Sequence, residues 1–523
     1  MIRFGKLDTM GKGAYRIVTA LLLMPWLCTA QVVQSDRIEI EVESFSNDFT
    51  VVSAEENGLI IFRDSDERDD EGKHIWEFHK YNTNLRQEWK RELALDPGYM
   101  LRGYDYDKGQ LCVLFQDGPY RDNSWPLMNM SIETGDTVRH SINQVVPVSL
   151  EYFEIVGQTV VLGGQVNYRP VVIHYDMLTE RLKALPGIYQ ERGELIDIIP
   201  NETDNTFDVL IGELNNNRVK TVTLKAYDQY SNLLQSAPLN TEERKNLLDA
   251  QVTEFDGQQQ FLAGTYGPRR SRYSRGLFIA SIKPNGQQDI EYYNYGDLDN
   301  FFSYMRDKRE ARVKRRIARR KAKNKKIRLN YRMVIHELIA DNDKYILLGE
   351  AYYPKYNSYY YSGLYGGLPS RYDNMYFDGY RYTHAIAVCF DKRGNLLWDH
   401  AFKLDNVKSM QLKQLVHVNV QNDSVVLMYS FEKEITTKVI KNNGEYEETT
   451  TDLIRLTYET DEVKRDHDSE IGGIRSWYDN YFYVHGTQDI RNKANQSLDN
   501  NRKVFFINKV SYNEEIDQSS RLR

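Results

Sequence analysis

Short apolar runs, broken by polar turns, recur along this chain in a fixed four-part order. The order is clearest in residues 333–402. Met333-Val-Ile-His-Glu-Leu-Ile339 meets the turn Asp341-Asn342-Asp343, and Tyr345-Ile-Leu-Leu-Gly-Glu-Ala351 follows. After a longer connection come Ala385-Ile-Ala-Val-Cys-Phe390, the turn Asp391-Lys-Arg-Gly394 and Asn395-Leu-Leu-Trp398. Alternation and β-branched or aromatic enrichment predict four strands, and the acidic, Gly- or Asn-bearing turns predict hairpins. The second hairpin of this paragraph is the most regular part. It recurs at Tyr81-Asn-Thr-Asn84, Glu133-Thr-Gly-Asp136, Tyr175-Asp-Met-Leu-Thr179, Tyr227-Asp-Gln-Tyr-Ser231 and Lys283-Pro-Asn-Gly286. It is expected again at Glu459-Thr-Asp-Glu462 and Ser511-Tyr-Asn-Glu514.

Repetition with a period of about 45–55 residues predicts a β-propeller of four-stranded blades. Upstream hairpins support it, among them Phe49-Thr-Val-Val-Ser-Ala54 with Leu59-Ile-Ile-Phe62, Thr159-Val-Val-Leu-Gly163 and Ser424-Val-Val-Leu-Met428. Several second strands end in glycine (Gly163-Gly164, Gly212, Gly264, Gly349), which predicts close backbone approach there. Arg37-Ile-Glu-Ile-Glu-Val42 is an extra leading strand that could close the ring on the last blade. Eight blades are therefore expected. The alternative is seven blades and an irregular terminal hairpin. The fold class names no chemistry by itself.

The ends set the expected domain limits. Arg3, Lys6, Lys12 and Arg16 precede an apolar run from Ile17 to Cys28, too short to span a bilayer, and Cys28-Thr29-Ala30 offers small residues before Gln31. Residues 1–30 read as a secretory signal and 31–523 as one propeller domain. A lipoprotein anchored at Cys28 is the rival reading, and Leu27 before the cysteine argues against it. The remaining cysteines, Cys112 and Cys389, sit inside apolar strands and read as buried thiols, not a disulfide framework. The reading includes no cofactor and no transmembrane segment.

Two insertions break the repeat around the sixth paragraph. The first is 297–332. Within 306–328, fourteen Lys or Arg face only Asp307 and Glu310, a net charge of +12. The whole chain carries −7, so everything outside this run and the leader carries about −22. The run lacks Gly and Pro and is rich in Arg, Lys and Ala, which predicts a helix with Asp297 or Asp299 at its start. Phe301, Met305, Val313 and Ile317 would form one apolar stripe. Arg309, Arg312, Lys314, Arg315, Arg316, Arg319, Arg320 and Lys321 are the candidate binding residues. Their counter-charge is either the acidic propeller itself or an anionic partner: an acidic protein, lipid phosphates or an anionic glycan. Nucleic acid is disfavoured, because no nucleic-acid-binding signature accompanies the charge.

The second insertion, 352–382, holds eleven tyrosines among Gly363, Gly366, Gly367 and Pro369. Tyrosine offers a large contact area at low rotamer entropy, so Tyr356, Tyr359, Tyr360, Tyr361 and Tyr365 are candidates for recognising proteins or sugars. The alternative is a loop packed on its own rings. Either way a long irregular loop is expected. Because both insertions emerge near one blade, a composite surface is expected.

No GxSxG, P-loop, GxGxxG or HExxH occurs, and the ten histidines are scattered. Each alone reads as a surface or satisfied strand histidine. The acidic stretch Asp64-Ser-Asp-Glu-Arg-Asp-Asp-Glu-Gly72 lacks EF-hand spacing and reads as a solvated hairpin, not a metal site. Catalytic residues are not identifiable.

Asp391-Lys-Arg-Gly-Asn-Leu-Leu-Trp398 and Tyr81-Asn-Thr-Asn-Leu-Arg-Gln-Glu-Trp89 resemble the hairpins of quinoprotein-type propellers, without their vicinal cysteine pair. The leader's end at Gln31, the stretch from Phe301 to His336, Gly349-Glu-Ala-Tyr-Tyr-Pro354 and Tyr382-Thr-His-Ala385 together resemble a family of uncharacterised secreted proteins of Bacteroidota. That resemblance implies export and no particular activity. The expected function is a non-catalytic exported platform in the periplasm, at the cell envelope or outside the cell, binding a protein or an anionic envelope partner. The alternative is a propeller enzyme acting on an envelope or extracellular glycan. A clustered set of acids and histidines in the central channel would favour the enzyme; an empty or apolar channel with a protruding basic helix would favour the platform.

Overall fold

In the computed structural model, eight antiparallel sheets of four principal strands stand in a ring, forming an eight-bladed β-propeller. The structure describes residues 32–512 except 43–48, 119–123, 144–146, 190–192, 202, 216–217, 243, 359–374, 422–423, 465–471 and 493–500. Blades one to seven each take four consecutive strands, beginning with the innermost strands Thr50–Ser53, Tyr99–Asp107, Ser149–Val156, Glu194–Asn201, Lys245–Val252, Arg332–Asp341 and His417–Gln421. Blade eight takes three from the C-terminal end, Gly473–Ser476, Tyr481–Asn492 and Asn501–Tyr512. Its fourth strand is Val32–Glu41, which runs antiparallel to Asn501–Tyr512 with Ile38 opposite Ile507. The leading strand therefore closes the ring and removes the exposed edge of the last blade, as its sequence predicts.

The closing strand is latched by charge as well as by its ladder. The Arg37 guanidinium donates to Glu39 at 2.8 Å, to Asn508 at 2.8 Å and to Gln488 at 2.9 Å. Arg502 donates to Glu39 at 3.1 Å and to Asp461 at 2.5 Å. Asp461 belongs to Asp461–Val463, a short strand beside Tyr481–Asn492. This corrects the expected hairpin at 459–462. The outer hairpin of blade seven instead turns between Glu434–Lys441 and Thr450–Leu453, where Gly444 N donates to Lys441 O and Gly444 adopts φ +85°. Ser511 and Tyr512 end the last strand and make no hairpin, because its outer neighbour comes from the other end of the chain.

One apolar cluster fills each of the eight seams between blades. Blades eight and one, for instance, meet through Val51, Leu59, Trp477 and Phe505. The cluster between blades five and six is the largest and includes Phe301, Phe302 and Ile317 of the first insertion. Cys112 and Cys389 are buried free thiols in their strands.

Five inner strands carry a bulge at the equivalent place, at Leu101/Gly103, Leu150/Tyr152, Leu195/Asp197, Leu247/Asp249 and Ile335/Glu337. The bulge pushes backbone toward the second strand, which explains the glycines there. A Cβ on Gly264 would lie 1.9 Å from Asp249 O, and one on Gly164 would lie 2.1 Å from Ser149 O. In such a meander, turns joining first to second and third to fourth strands leave on one face. The second-to-third loops and the blade-to-blade connections leave on the other. Both insertions are of the latter kind, so they share that face.

Candidate functional site: a basic helix, a tyrosine ribbon and the channel

The first insertion is fastened before its helix begins. Asp399 of the outer strand of blade six accepts Asp299 N and Asn300 N, each at 2.8 Å. Phe301 stacks on Tyr295 at 4.5 Å, and Tyr304 lies flat on His384 at 3.8 Å. His384 is fully buried, and that burial pushes its imidazole down to about 3, so it is neutral at pH 7. The helix spans Asp307–Ala322 and starts after Arg306, which offers no side-chain cap. This corrects the expected start at Asp297 or Asp299: the amides of residues 299 and 300 are taken by blade six. The expected apolar stripe survives as packing. Ile317 is buried in the seam between blades five and six, and Met305 and Val313 pack against it.

The cations face outward. Lys314 pairs with Glu310 at 2.7 Å and Lys321 with Asp297 at 2.8 Å, both partners within the insertion. Arg315 donates to Ala311 O and Arg320 to Lys326 O, each at 3.1 Å. Among the described residues Arg309, Arg312, Arg316 and Arg319 have no carboxylate within ion-pair distance. Among the described residues the acidic blades thus supply no direct counter-ion to the helix. A shallow groove of about 550 Å³ runs beside Arg312, Arg316 and Arg319 and reaches Lys323 and Lys325. The helix covers a seam with one face and presents concentrated positive charge with the others.

The second insertion departs from the expected irregular loop. The strands Lys344–Ser358 and Met375–Asp391 extend well past the blade as a two-stranded ribbon. Tyr352 stands opposite Tyr382, Pro354 opposite Tyr380 and Tyr356 opposite Phe377. Cross-strand aromatic pairs favour such an extension, and the rings of Tyr356 and Phe377 lie 5.7 Å apart. Tyr353 and Tyr356 are about half exposed, at 51% and 53%. Tyr359, Tyr360, Tyr361 and Tyr365 lie outside the described residues.

Acids of the inner strands join successive blades. Asp105 accepts Ile155 N at 2.8 Å, Asp107 accepts Gly157 N at 2.9 Å and Asp249 accepts Ile335 N at 2.9 Å. Asp197 accepts the Gln251 amide, and Glu337 accepts that of Gln414. Glu350, fully buried, accepts Leu415 N at 3.0 Å and Val416 N at 2.6 Å and meets His336 at 3.2 Å. Each carboxylate therefore has a structural task. Burial still pushes Asp197 up to about 6. Glu154 stands apart: burial and then the neighbouring Asp105 and Asp197 charges hold its carboxyl well above the usual range. Among the described residues no three His, Cys, Asp or Glu converge to hold a metal ion.

Two scattered histidines do come together. His417 of blade seven and His485 of blade eight line one cavity, and burial followed by the Arg475 charge pushes each down to about 3. Sequence reading did not find this pair, because one blade separates the two residues along the chain. The Asp64 stretch is a hairpin whose Asp69 caps the amides of Glu71 and Lys73.

No family model and no curated protein matches the chain. Among solved structures, it is similar to the β-propeller domain of the Trilobed protease from Pyrococcus furiosus, at 8% identity and TM-score 0.36, over 79% of this chain and 93% of that one. It is similar to the polysaccharide lyase Uly1 at 10% identity and TM-score 0.38, over 91% and 100%. Similarity to prolyl oligopeptidase B from Galerina marginata is 7% at TM-score 0.40, and the matched part covers 86% of this chain and 56% of that enzyme. No helix among the described residues is long and apolar enough to cross a membrane.

Proposed function

We propose that this propeller is an exported, non-catalytic interaction platform of the periplasm or cell envelope, whose basic helix contacts an anionic protein or envelope component. The observation that carries the reading is the state of the helix. It is fixed to the seam by Phe301, Phe302 and Ile317, while Arg309, Arg312, Arg316 and Arg319 have no carboxylate partner among the described residues. A rigid scaffold holding unpaired arginines has met the ordering cost of binding in advance. The tyrosine ribbon on the same face supplies exposed aromatic area beside that charge. The inner-strand carboxylates of Asp105 and Asp249 are engaged between blades, which supports the platform over the enzyme.

A glycan-directed propeller enzyme is the second reading, favoured by Glu154, an inner-strand carboxyl held above its usual range that makes no side-chain hydrogen bond among the described residues. The deciding experiment is crosslinking and affinity isolation from the native envelope. Full-length protein is compared with the R312Q/R316Q/R319Q variant. Loss of specific partners from the variant, restored by neither low nor high salt, supports the platform. Identical partner sets overturn it.

A further inference from the structure

A second basic feature lies on the face that carries the insertions and shares no residue with the helix. It is a cavity of about 940 Å³ between blades six, seven and eight. Among the described residues, six of its lining side chains are Lys or Arg, and Glu432 is the one acid. Two of the six have carboxylate partners: Lys408 with Asp378 at 2.6 Å, and Lys464 with Asp489 at 3.8 Å. Arg475 and Lys433 have none among the described residues, and Lys413 reaches only Gly472 O at 3.4 Å.

Some neutral polar atoms of the wall are unsatisfied as well. Gln488 is fully buried; its Oε1 accepts from Arg37 at 2.9 Å while its Nε2 has no partner. Ser430 Oγ is buried without a partner. The imidazoles of His417 and His485 line the same space without a hydrogen bond among the described residues. Buried polar atoms are ordinarily paired, so such an accumulation marks a place where a ligand completes the set.

We infer that this cavity binds an acidic saccharide, a sugar ligand carrying carboxylate or sulfate groups. The excess of cations selects a negative ligand. The volume lies in the range of organic-ligand pockets and far exceeds an inorganic anion. Phe431 is the only Phe, Tyr or Trp among the described lining residues, so an apolar anion such as a fatty acid would bury its tail against polar walls at a cost. Sugar hydroxyls both donate and accept. They match an amide N–H, a serine hydroxyl and two neutral imidazoles, each with one donor and one acceptor nitrogen. The site goes beyond the platform reading and does not depend on it.

The test is isothermal titration of the full chain with four probes: an oligogalacturonate trimer, a heparin-derived tetrasaccharide, maltotriose and sodium sulfate. The expected result is binding of at least one acidic saccharide, with maltotriose and sulfate at least tenfold weaker. The carboxylate and sulfate arms identify which acid is preferred. K433Q/R475Q, at two exposed positions, should weaken binding at least tenfold without moving the melting temperature, and K433Q alone should weaken it partly. R312Q/R316Q/R319Q should leave it unchanged. Equal binding of maltotriose or sulfate, absence of binding by both acidic saccharides, indifference to K433Q/R475Q, or loss with the helix variant would each overturn the assignment.

Discussion

Arginine does opposite work at the two ends of this molecule's seam chemistry. At the closing blade, Arg37 and Arg502 are nearly enclosed, with 6% and 7% of their side chains exposed, and both meet Glu39 while Arg502 also meets Asp461. On the inserted helix, Arg309, Arg312, Arg316 and Arg319 stand outward, and none has an acid within reach among the described residues. The first set is committed to holding the ring shut. The second is held ready by apolar contacts that involve other side chains. Charge in this protein is therefore structural where it is enclosed and paired, and available where it is exposed and unpaired. The same substitution should have very different consequences in the two places.

The largest expected effect is at the latch. Arg502→Ala leaves Asp461, whose side chain is fully enclosed, without its bidentate partner, and should cost about 3–5 kcal/mol. Measured by reversible denaturant unfolding, a loss below about 1 kcal/mol would contradict a structural role for this network. Phe301→Ala is the apolar counterpart at the helix seam. Removing that ring from its contacts with Tyr295, Tyr331 and His384 should cost about 3 kcal/mol. Limited proteolysis should then cut the 297–332 insertion before the blades. Cleavage elsewhere first would show that the seam does not fasten the helix.

That contrast was only partly legible in the sequence, for physical reasons. Local signals read well: hairpin turns such as Asp391-Lys-Arg-Gly394, the glycines facing the inner-strand bulges and the leading strand that closes the ring. The apolar stripe of the helix read well too, since one seam collects Phe301, Met305, Val313 and Ile317. What failed depends on partners distant in the chain. The helix start was displaced because Asp399 takes the amides of residues 299 and 300. The turn at 459–462 looked like a hairpin but holds Asp461, whose role is set by Arg502. The tyrosine insertion looked irregular because its Gly and Pro are central, while its arms pair as strands. The staples between blades and the meeting of His417 with His485 follow no local pattern.

Acid titration offers a smaller effect that separates enclosed groups from exposed ones. His384 has a folded value of about 3, below the ordinary 6.5 of the unfolded chain. Between those values the unfolded state binds the extra proton, so stability is full above pH 6.5 and is lost as pH falls toward 3. One such group contributes at most about 1.4 kcal/mol per pH unit. Asp208 is raised by burial to about 7, and Asp197 to about 6, so each acts in the opposite sense, stabilising below about 3.8 and losing that contribution as pH rises through its folded value. His384→Phe should flatten the fall in melting temperature between pH 6 and 4, whereas substituting exposed helix arginines should not alter that slope. An unchanged slope in His384→Phe would show that the histidine is not what senses acid.

The smallest expected effect on stability is the most telling for function. In R312Q/R316Q/R319Q three cations leave a helix that, among the described residues, pairs with no acid of the blades. Surface substitutions of this kind change stability by about 0.5 kcal/mol or less. The sign should be slightly favourable at low salt, because like charges at neighbouring helical positions repel. Raising salt should erase even that difference, since exposed charges are screened over about 8 Å at physiological ionic strength. A clear loss of stability instead, growing as salt falls, would mean that the acidic blades hold the helix through long-range attraction. The cations would then be structural like Arg37 and Arg502, and the distinction between the two sets would collapse. Stability that is flat or improved leaves the arginines without a folding role, and binding becomes the work that remains for them.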